Sequence, residues 1–406
     1  MRKPIVTIFY QFNPWNSSIG GIQTVIRCFM KYAPSEFEVR LVGTGDPGFP
    51  VGKWQEAELG GRVVKFMPLF PLQDDNVRKL VPTTIKYTAA LLGRCFASDF
   101  MHFHRIEPSL AALNWSGDKT LFIHNDLQKQ MNAKTGNNAI LWQRFPAGYF
   151  ALEKLLVKQF TQVFSCNTES AKFYQQLYPK LADRVSYLKN TVDNEIFYPL
   201  DPKSKEEKRR AYAQQLGLAE DTRFLLFAGR VHPQKDPILL IRSIAAFNDP
   251  KVHLLIAGTG ELMEPVRSEI ARLGLSERVT LLGALNQNQL SNLHRISSAF
   301  VMTSVYEGLP VVVLEALSSG TPIVTTKCGE TPKLLAADSG IVCEERTPEA
   351  IATALQKVVY SGDYPAQSCT RNAQPYSART VVSDVYNQML ERWQQRSVLM
   401  PASSSF

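Results

Sequence analysis

Residues 299–326, AFVMTSVYEGLPVVVLEALSSGTPIVTT, admit few folds. The apolar run Ala299 to Thr303 reads as a buried parallel strand. Pro310 suits the first turn of a helix, where its missing N–H goes unmissed. Ala316 to Ser319 continue that helix, Gly320 stands where it should stop, and Pro322 to Thr326 read as the next strand. A strand, a helix and a strand at this spacing form a βαβ unit, which requires a parallel sheet covered on both faces.

The same unit places Glu307 in the loop at a strand's carboxyl edge and Glu315, in E-x7-E spacing, within the helix. Free N–H groups at the helix start favour an anion at that edge, and carboxylates accept hydrogen bonds from hydroxyls. The pattern therefore fits a ligand that is sugar at one end and nucleotide at the other. The alternative is an ordinary βαβ unit with surface glutamates.

The alternation recurs along the chain. Strand-like runs are Ile5 to Phe12, Phe37 to Gly43, Val63 to Pro68, Phe100 to His104, Thr120 to Asn125, 161–167, Arg184 to Lys189, Phe224 to Ala228, HLLIAGTGEL and VTLLGALNQNQL. Helices are expected over about Ile22 to Tyr32, 148–160 and from about Pro237. A last one, Tyr376 to Gln395, carries Val381, Val385, Met389 and Trp393 at core spacing. At 406 residues more than one domain is expected. The Pro- and charge-rich stretch after Phe197 reads as a linker or boundary.

With 45% hydrophobic and 20% charged residues, the composition is that of a soluble globular protein, and no run approaches a membrane span. The opening MRKPIVTIFYQF reads as a first strand rather than a signal peptide. The scattered Cys28, Cys95, Cys166, Cys328, Cys343 and Cys369 lack any C-x-x-C and read as reduced core thiols. The net charge of +8 is lopsided, since residues 1–200 hold 23 Lys+Arg against 16 Asp+Glu. Basic runs with interleaved aromatics are missing, which argues against nucleic acid and for an anionic ligand or membrane. The region 77–96, with Arg78, Lys79, Lys86 and Arg94 beside Leu80, Ile85, Leu91, Leu92 and Phe96, has the composition of a helix on an anionic membrane. It also has that of a basic solvated face over a packed apolar one, and Pro82 interrupts it.

Further candidates cluster at strand ends. Gly20 and Gly21 form a strand-to-helix turn able to approach a phosphate, or simply to turn tightly. His104 and His124 stand at carboxyl edges, where open α/β sheets bind ligands and a neutral imidazole can donate a hydrogen bond. Arg230 and Lys235 occupy another strand-to-helix loop, where two cations can neutralise a diphosphate. Gly258 and Gly260 form only part of a dinucleotide fingerprint. An NAD(P) oxidoreductase would need the whole of it.

In order, GGI at Gly20, IHND at His124, NTVDNEIFYP, FAGRVHPQKD, IAGTGEL and EGLPVVVLEALSSGTPIV resemble the retaining GT-B glycosyltransferases of family 4, over nearly the whole chain. The resemblance implies an α/β fold of two Rossmann-like doubly wound domains facing across a cleft. Residues 1–195 plus about 376–396 would bind the acceptor, and 196–375 the nucleotide sugar. It implies that Arg230 and Lys235 bind the diphosphate, with Gly20 and Gly21 approaching from the other side. Glu315 would hold the ribose, and Glu307 with the backbone of Gly308, Leu309 and Pro310 the donor sugar. Gly258, Gly260 and Leu285 would line the nucleotide, and His124 would lie beside the reacting carbon. The implied activity is hexosyl transfer from a nucleoside-diphosphate sugar to a glycan or lipid-linked glycan, in exopolysaccharide or cell-envelope synthesis. No cofactor or metal is expected, and no D-x-D motif occurs. The expected location is cytoplasmic or peripheral at the membrane's inner face. The alternative is a non-catalytic sugar- or nucleotide-binding protein of the same fold. One departure is TTKCGETPKLL, where Lys333 stands at the family's acidic position.

Overall fold

In the computed structural model the described residues are 2–15, 20–46, 50–72, 81–124 and 146–399. The first sheet contains β1 (Ile5–Phe9), β2 (Glu38–Gly45), β3 (Gln55–Leu59), β4 (Arg62–Pro71), β5 (Phe100–Phe103), β6 (Asp118–Ile123), β7 (Gln162–Ser165) and β8 (Val185–Tyr187). Its order is β3-β4-β2-β1-β5-β6-β7-β8. The second contains β9 (Arg223–Ala228), β10 (Val252–Ala257), β11 (Val279–Gly283), β12 (Ala299–Met302), β13 (Ile323–Thr326) and β14 (Gly340–Cys343), in the order β11-β10-β9-β12-β13-β14. Both are parallel throughout except for the β3/β4 pair.

The strands are apolar on both sides because helices cover both sides. Side chains alternate across a strand, so Ile8 joins one buried cluster of the first sheet and Phe9 the other. In the second sheet Leu225 and Phe227 point into one core, and Phe224 and Leu226 into the opposite one. This is the α/β, two-sheet GT-B architecture expected from the sequence.

The last helix, Ala378–Leu399, follows the second sheet but packs on the first. Val382, Val385, Tyr386 and Met389 enter the same cluster as Ile8, and Tyr386 donates to the Phe29 carbonyl at 3.0 Å. Arg392 and Arg396 both reach the buried carboxylate of Asp118. The two crossings between the sheets run side by side, with Val192 N donating to Tyr376 O at 3.0 Å and Ala378 N to Val192 O at 2.9 Å.

Three local expectations change. The stretch after Phe197 is not a plain linker, because Pro202–Gln215 is a helix. Asp201 caps it and Pro202 takes its first turn, while Glu206 pairs with Arg209 and Arg210 along its surface. Its charge density is thus a solvated helix face. The antiparallel hairpin β3/β4 was not legible, since β3 reads QEAEL with no buried side. In the basic region, Arg78, Lys79 and Leu80 lie outside the described residues, and the helix begins only after Pro82, at Thr83–Leu91. The C-terminal PASSSF also lies outside the described residues. All six cysteines are free, and all but Cys95 are buried.

Candidate functional site

On the second sheet the loop leaving β9 carries the cations. Gly258 and Gly260 allow it to form: a Cβ on Gly258 would sit 1.9 Å from the Gly229 carbonyl, and one on Gly260 2.3 Å from that of Val231. The two glycines thus let the loop after β10 nest against the Arg230 loop, a packing role beside any contact with a ligand. The loop is also strapped to the one after β12. Thr303 Oγ1 donates to the carbonyls of Lys235 and Asp236 (both 2.9 Å), Gln234 Nε2 to Tyr306 O (3.0 Å), and Val305 N to Gln234 O (2.8 Å).

These straps bring Lys235 against Glu307, Nζ to Oε1 2.5 Å, with both side chains largely enclosed. Arg230 is exposed and has no ion-pair partner among the described residues. Glu315, inside the helix Val311–Ser318, is 2% exposed, and its Oε2 has no hydrogen-bond partner among the described residues. Burial pushes its carboxyl up to about 8, so it is mostly protonated at neutral pH. Leu285, just past β11, is half-buried against the core of its own domain.

The helix Val311–Ser318 starts one residue later than the sequence indicated, because Pro310 is its extended N-cap. Pro310 has no N–H, so the unpaired donors there come from the first helical turn rather than from Pro310. The helix Gly21–Lys31 starts opposite, with Gly20 as its N-cap, and a Cβ on Gly21 would lie 3.7 Å from Val311 Cγ2. Two helix N-termini, one from each domain, therefore meet at one place, and both favour an anion there.

The first sheet contributes His124 and His104, past the ends of β6 and β5. His104 Nδ1 lies 2.8 Å from His124 Nε2. Burial lowers His104 well below the ordinary imidazole value, and lowers His124 to about 3 with help from nearby Arg105. Both rings are neutral across the physiological range. The Glu307–Pro310 loop rests on this edge, for a Cβ at Gly308 would come within 2.5 Å of the His124 carbonyl. Asn190 Nδ2 further clamps it through Leu309 O at 2.7 Å. Asn125 and Asp126 of the IHND motif lie outside the described residues.

The geometry thus gathers Gly20, Gly21, His124, Lys235 and the Glu307–Pro310 loop, with Glu315 buried in the following helix and Arg230 exposed near the loop. Sequence reasoning missed a second bridge across the cleft. Thr168 N–H and Oγ1 both donate to Glu330 Oε1 at 2.8 Å, and Lys333 Nζ reaches Thr168 Oγ1 at 2.7 Å and Glu169 at 3.2 Å. The unusual Lys333 is thereby accounted for as an interdomain contact. Its partners across the cleft, on the helix Thr168–Leu177, left no local signal. Among the described residues no three His, Cys, Asp or Glu side chains come together as a metal ion would need.

The fold and the facing edges define a GT-B protein. Residues 208–374 match the family described as glycosyl transferases group 1. Among curated relatives, a D-inositol 3-phosphate glycosyltransferase of Streptomyces coelicolor is 26% identical over 313 residues, 71% of this chain and 67% of its own. The matched stretches span 43–67% of such relatives, about half their length in most cases. Among solved structures, Anabaena HepE in complex with UDP and glucose superimposes at TM-score 0.70 with 16% identity, covering 95% of this chain and 98% of that one. WaaG, a glycosyltransferase involved in lipopolysaccharide biosynthesis, does so at 0.68 with 16% identity, covering 95% and 99%.

Proposed function

We propose that this protein is a retaining glycosyltransferase that moves a hexose-type sugar from a nucleoside-diphosphate sugar to a glycan or lipid-linked glycan. The observation that carries this reading is the Lys235–Glu307 pair at the junction of two helix N-termini, beside an exposed Arg230 and a buried, orphaned Glu315 carboxyl. A bare ion pair there is half satisfied, since Lys235 and the free N–H groups have more capacity for negative charge than Glu307 alone uses. A diphosphate supplies that charge. The UDP and glucose held by HepE support the same donor class.

In this reading Arg230 and Lys235 neutralise charge that builds on the departing diphosphate, with Gly20 and Gly21 approaching from the first domain. Glu307 and the Gly308–Leu309–Pro310 loop hold the sugar, Glu315 the ribose, Leu285 the base, and His124 donates to the sugar near the reacting carbon. The acceptor attacks from the face the diphosphate leaves, keeping the anomeric configuration. No metal has a part in it. Residues 1–195 with the last helix serve the acceptor, and 196–375 the donor.

A place at the inner face of the cytoplasmic membrane belongs to the same proposal. No helix among the described residues is long and apolar enough to cross a membrane. Ile85 and Leu92 are exposed beside exposed Lys86 and Arg94, so this edge can lie on an anionic surface. Co-sedimentation with anionic but not neutral vesicles checks it. A thermal-shift panel of nucleotides and nucleotide sugars tests the donor, because a ligand of the native state raises Tm by mass action. Product NMR then reads the anomer. Binding without release of nucleotide to any acceptor would leave only a binding protein.

A further inference from the structure

The two imidazoles of the first sheet form one unit. Their planes differ by 15° and their centroids lie 5.1 Å apart. With nitrogens 2.8 Å apart, that is the arrangement of two rings joined end to end by an in-plane hydrogen bond, not of rings lying face to face. One nitrogen in the bond must donate and the other accept, so each ring fixes the other's tautomer.

The surroundings decide the direction. His104 is the enclosed partner, with Phe122 stacked on it at 4.6 Å and Tyr10 edge-on at 6.3 Å. Its Nε2 is buried with no hydrogen-bond partner among the described residues. A buried N–H without an acceptor is the rarer fault in folded proteins, so Nε2 is the bare nitrogen and the proton sits on Nδ1. His104 then donates to His124 Nε2, and His124 must carry its own proton on Nδ1. His124 is the half-buried ring, at the strand end that meets the Glu307–Pro310 loop.

We propose that His104 is a positioning residue, whose Nδ1–H locks His124 in the neutral tautomer that offers an Nδ1–H donor to the ligand cleft. This rests on the reading of His124 as the group beside the sugar. The charged and titratable neighbours agree with a neutral pair: Arg105 opposes a charge on His124, His102 and His124 oppose one on His104, and burial opposes both. The Cys166 thiol is engaged with the His124 backbone carbonyl at 3.1 Å, not with its ring.

Nitrogen-15 NMR of the full chain labelled at histidine tests this, with the His124 signals identified by their loss in His124→Phe. The expected spectrum has His124 protonated at Nδ1 and bare at Nε2. His104→Leu removes the lock, and a mixture or the Nε2–H form should appear. His104→Asn keeps an amide donor where Nδ1 stood. In kinetics His104→Leu should lose roughly 10- to 100-fold in kcat with donor KM within about threefold, and His104→Asn should recover most of it. A wild-type His124 protonated at Nε2, or wild-type kcat in His104→Leu, overturns the proposal. If His104→Leu does not fold, the wild-type spectrum still decides. The assigned tautomer together with no transfer from any nucleotide sugar supports the proton placement and overturns the transferase reading instead.

Discussion

Across the cleft, the first sheet presents two neutral imidazoles packed among aromatic rings, whereas the second presents Lys235, Glu307, Arg230 and Glu315. Neutrality on the first side is enforced chiefly by burial, with Arg105 opposing a charge on His124 and the neighbouring imidazoles opposing one on His104. On the second side charge is tolerated because Lys235 and Glu307 pair, and Glu315 escapes the cost of burial by staying protonated. The difference teaches where a negatively charged leaving group belongs. In the proposed reading it belongs on the second sheet, and the first orients the sugar through a neutral donor.

Removing the cation should have the largest effect. Lys235→Ala is expected to lower kcat/KM by about 10²–10³, the scale of one lost preorganised donor, in steady-state assays. Near wild-type turnover would erase the contrast between the two sides.

Glu307→Gln is expected to act in the opposite sense on binding. Freed from its partner, Lys235 should hold nucleoside diphosphate more tightly, by up to about tenfold, while turnover falls by about 10². Calorimetry that showed weaker diphosphate binding would contradict the competition between Glu307 and the anion.

Glu315→Gln separates stability from function. The carboxyl rises from an ordinary value of 4.5 to about 8 on folding, so between those values the native state holds a proton the unfolded chain lacks. Its contribution is full below 4.5 and is lost as pH climbs toward 8. The glutamine variant should match wild-type Tm near pH 4.5 and exceed it by several degrees near pH 8, yet bind donor less well. Parallel Tm curves for the two proteins would show that Glu315 is ionised in the native state.

The smallest effect is expected at the interdomain bridge. Thr168→Val removes one of the two hydrogen bonds that Thr168 gives Glu330 and the one its Oγ1 accepts from Lys333, each worth about 1 kcal/mol, and should raise donor KM a few-fold. Small-angle scattering should show an expanded unliganded form. Unchanged dimensions would mean the Asn190–Leu309 clamp holds the cleft unaided.

Much of this molecule could be read locally. The strand Ala299–Met302, the helix after Pro310 and the strand Ile323–Thr326 follow from buried runs punctuated by Pro and Gly. The stripe Val381, Val385, Met389 announced the last helix, and these three side chains are buried. Failures were equally physical. The helix Pro202–Gln215 was hidden because a solvated helix and a linker share a composition, and β3 because five residues with only Ala57 and Leu59 apolar on a half-buried side carry too little apolar signal.

The candidate site divides along the same line. The sequence by itself determined which side chains could carry charge and which short loops would hold them at strand ends, because polarity and period are properties of neighbouring residues. Only the tertiary structure decided that Lys235 meets Glu307, that Glu315 Oε2 has no partner among the described residues, that His104 is bonded to His124, and that Lys333 reaches Thr168 and Glu169. Those facts depend on distance and exclusion of water between segments far apart in the chain, and no local pattern of residues encodes either.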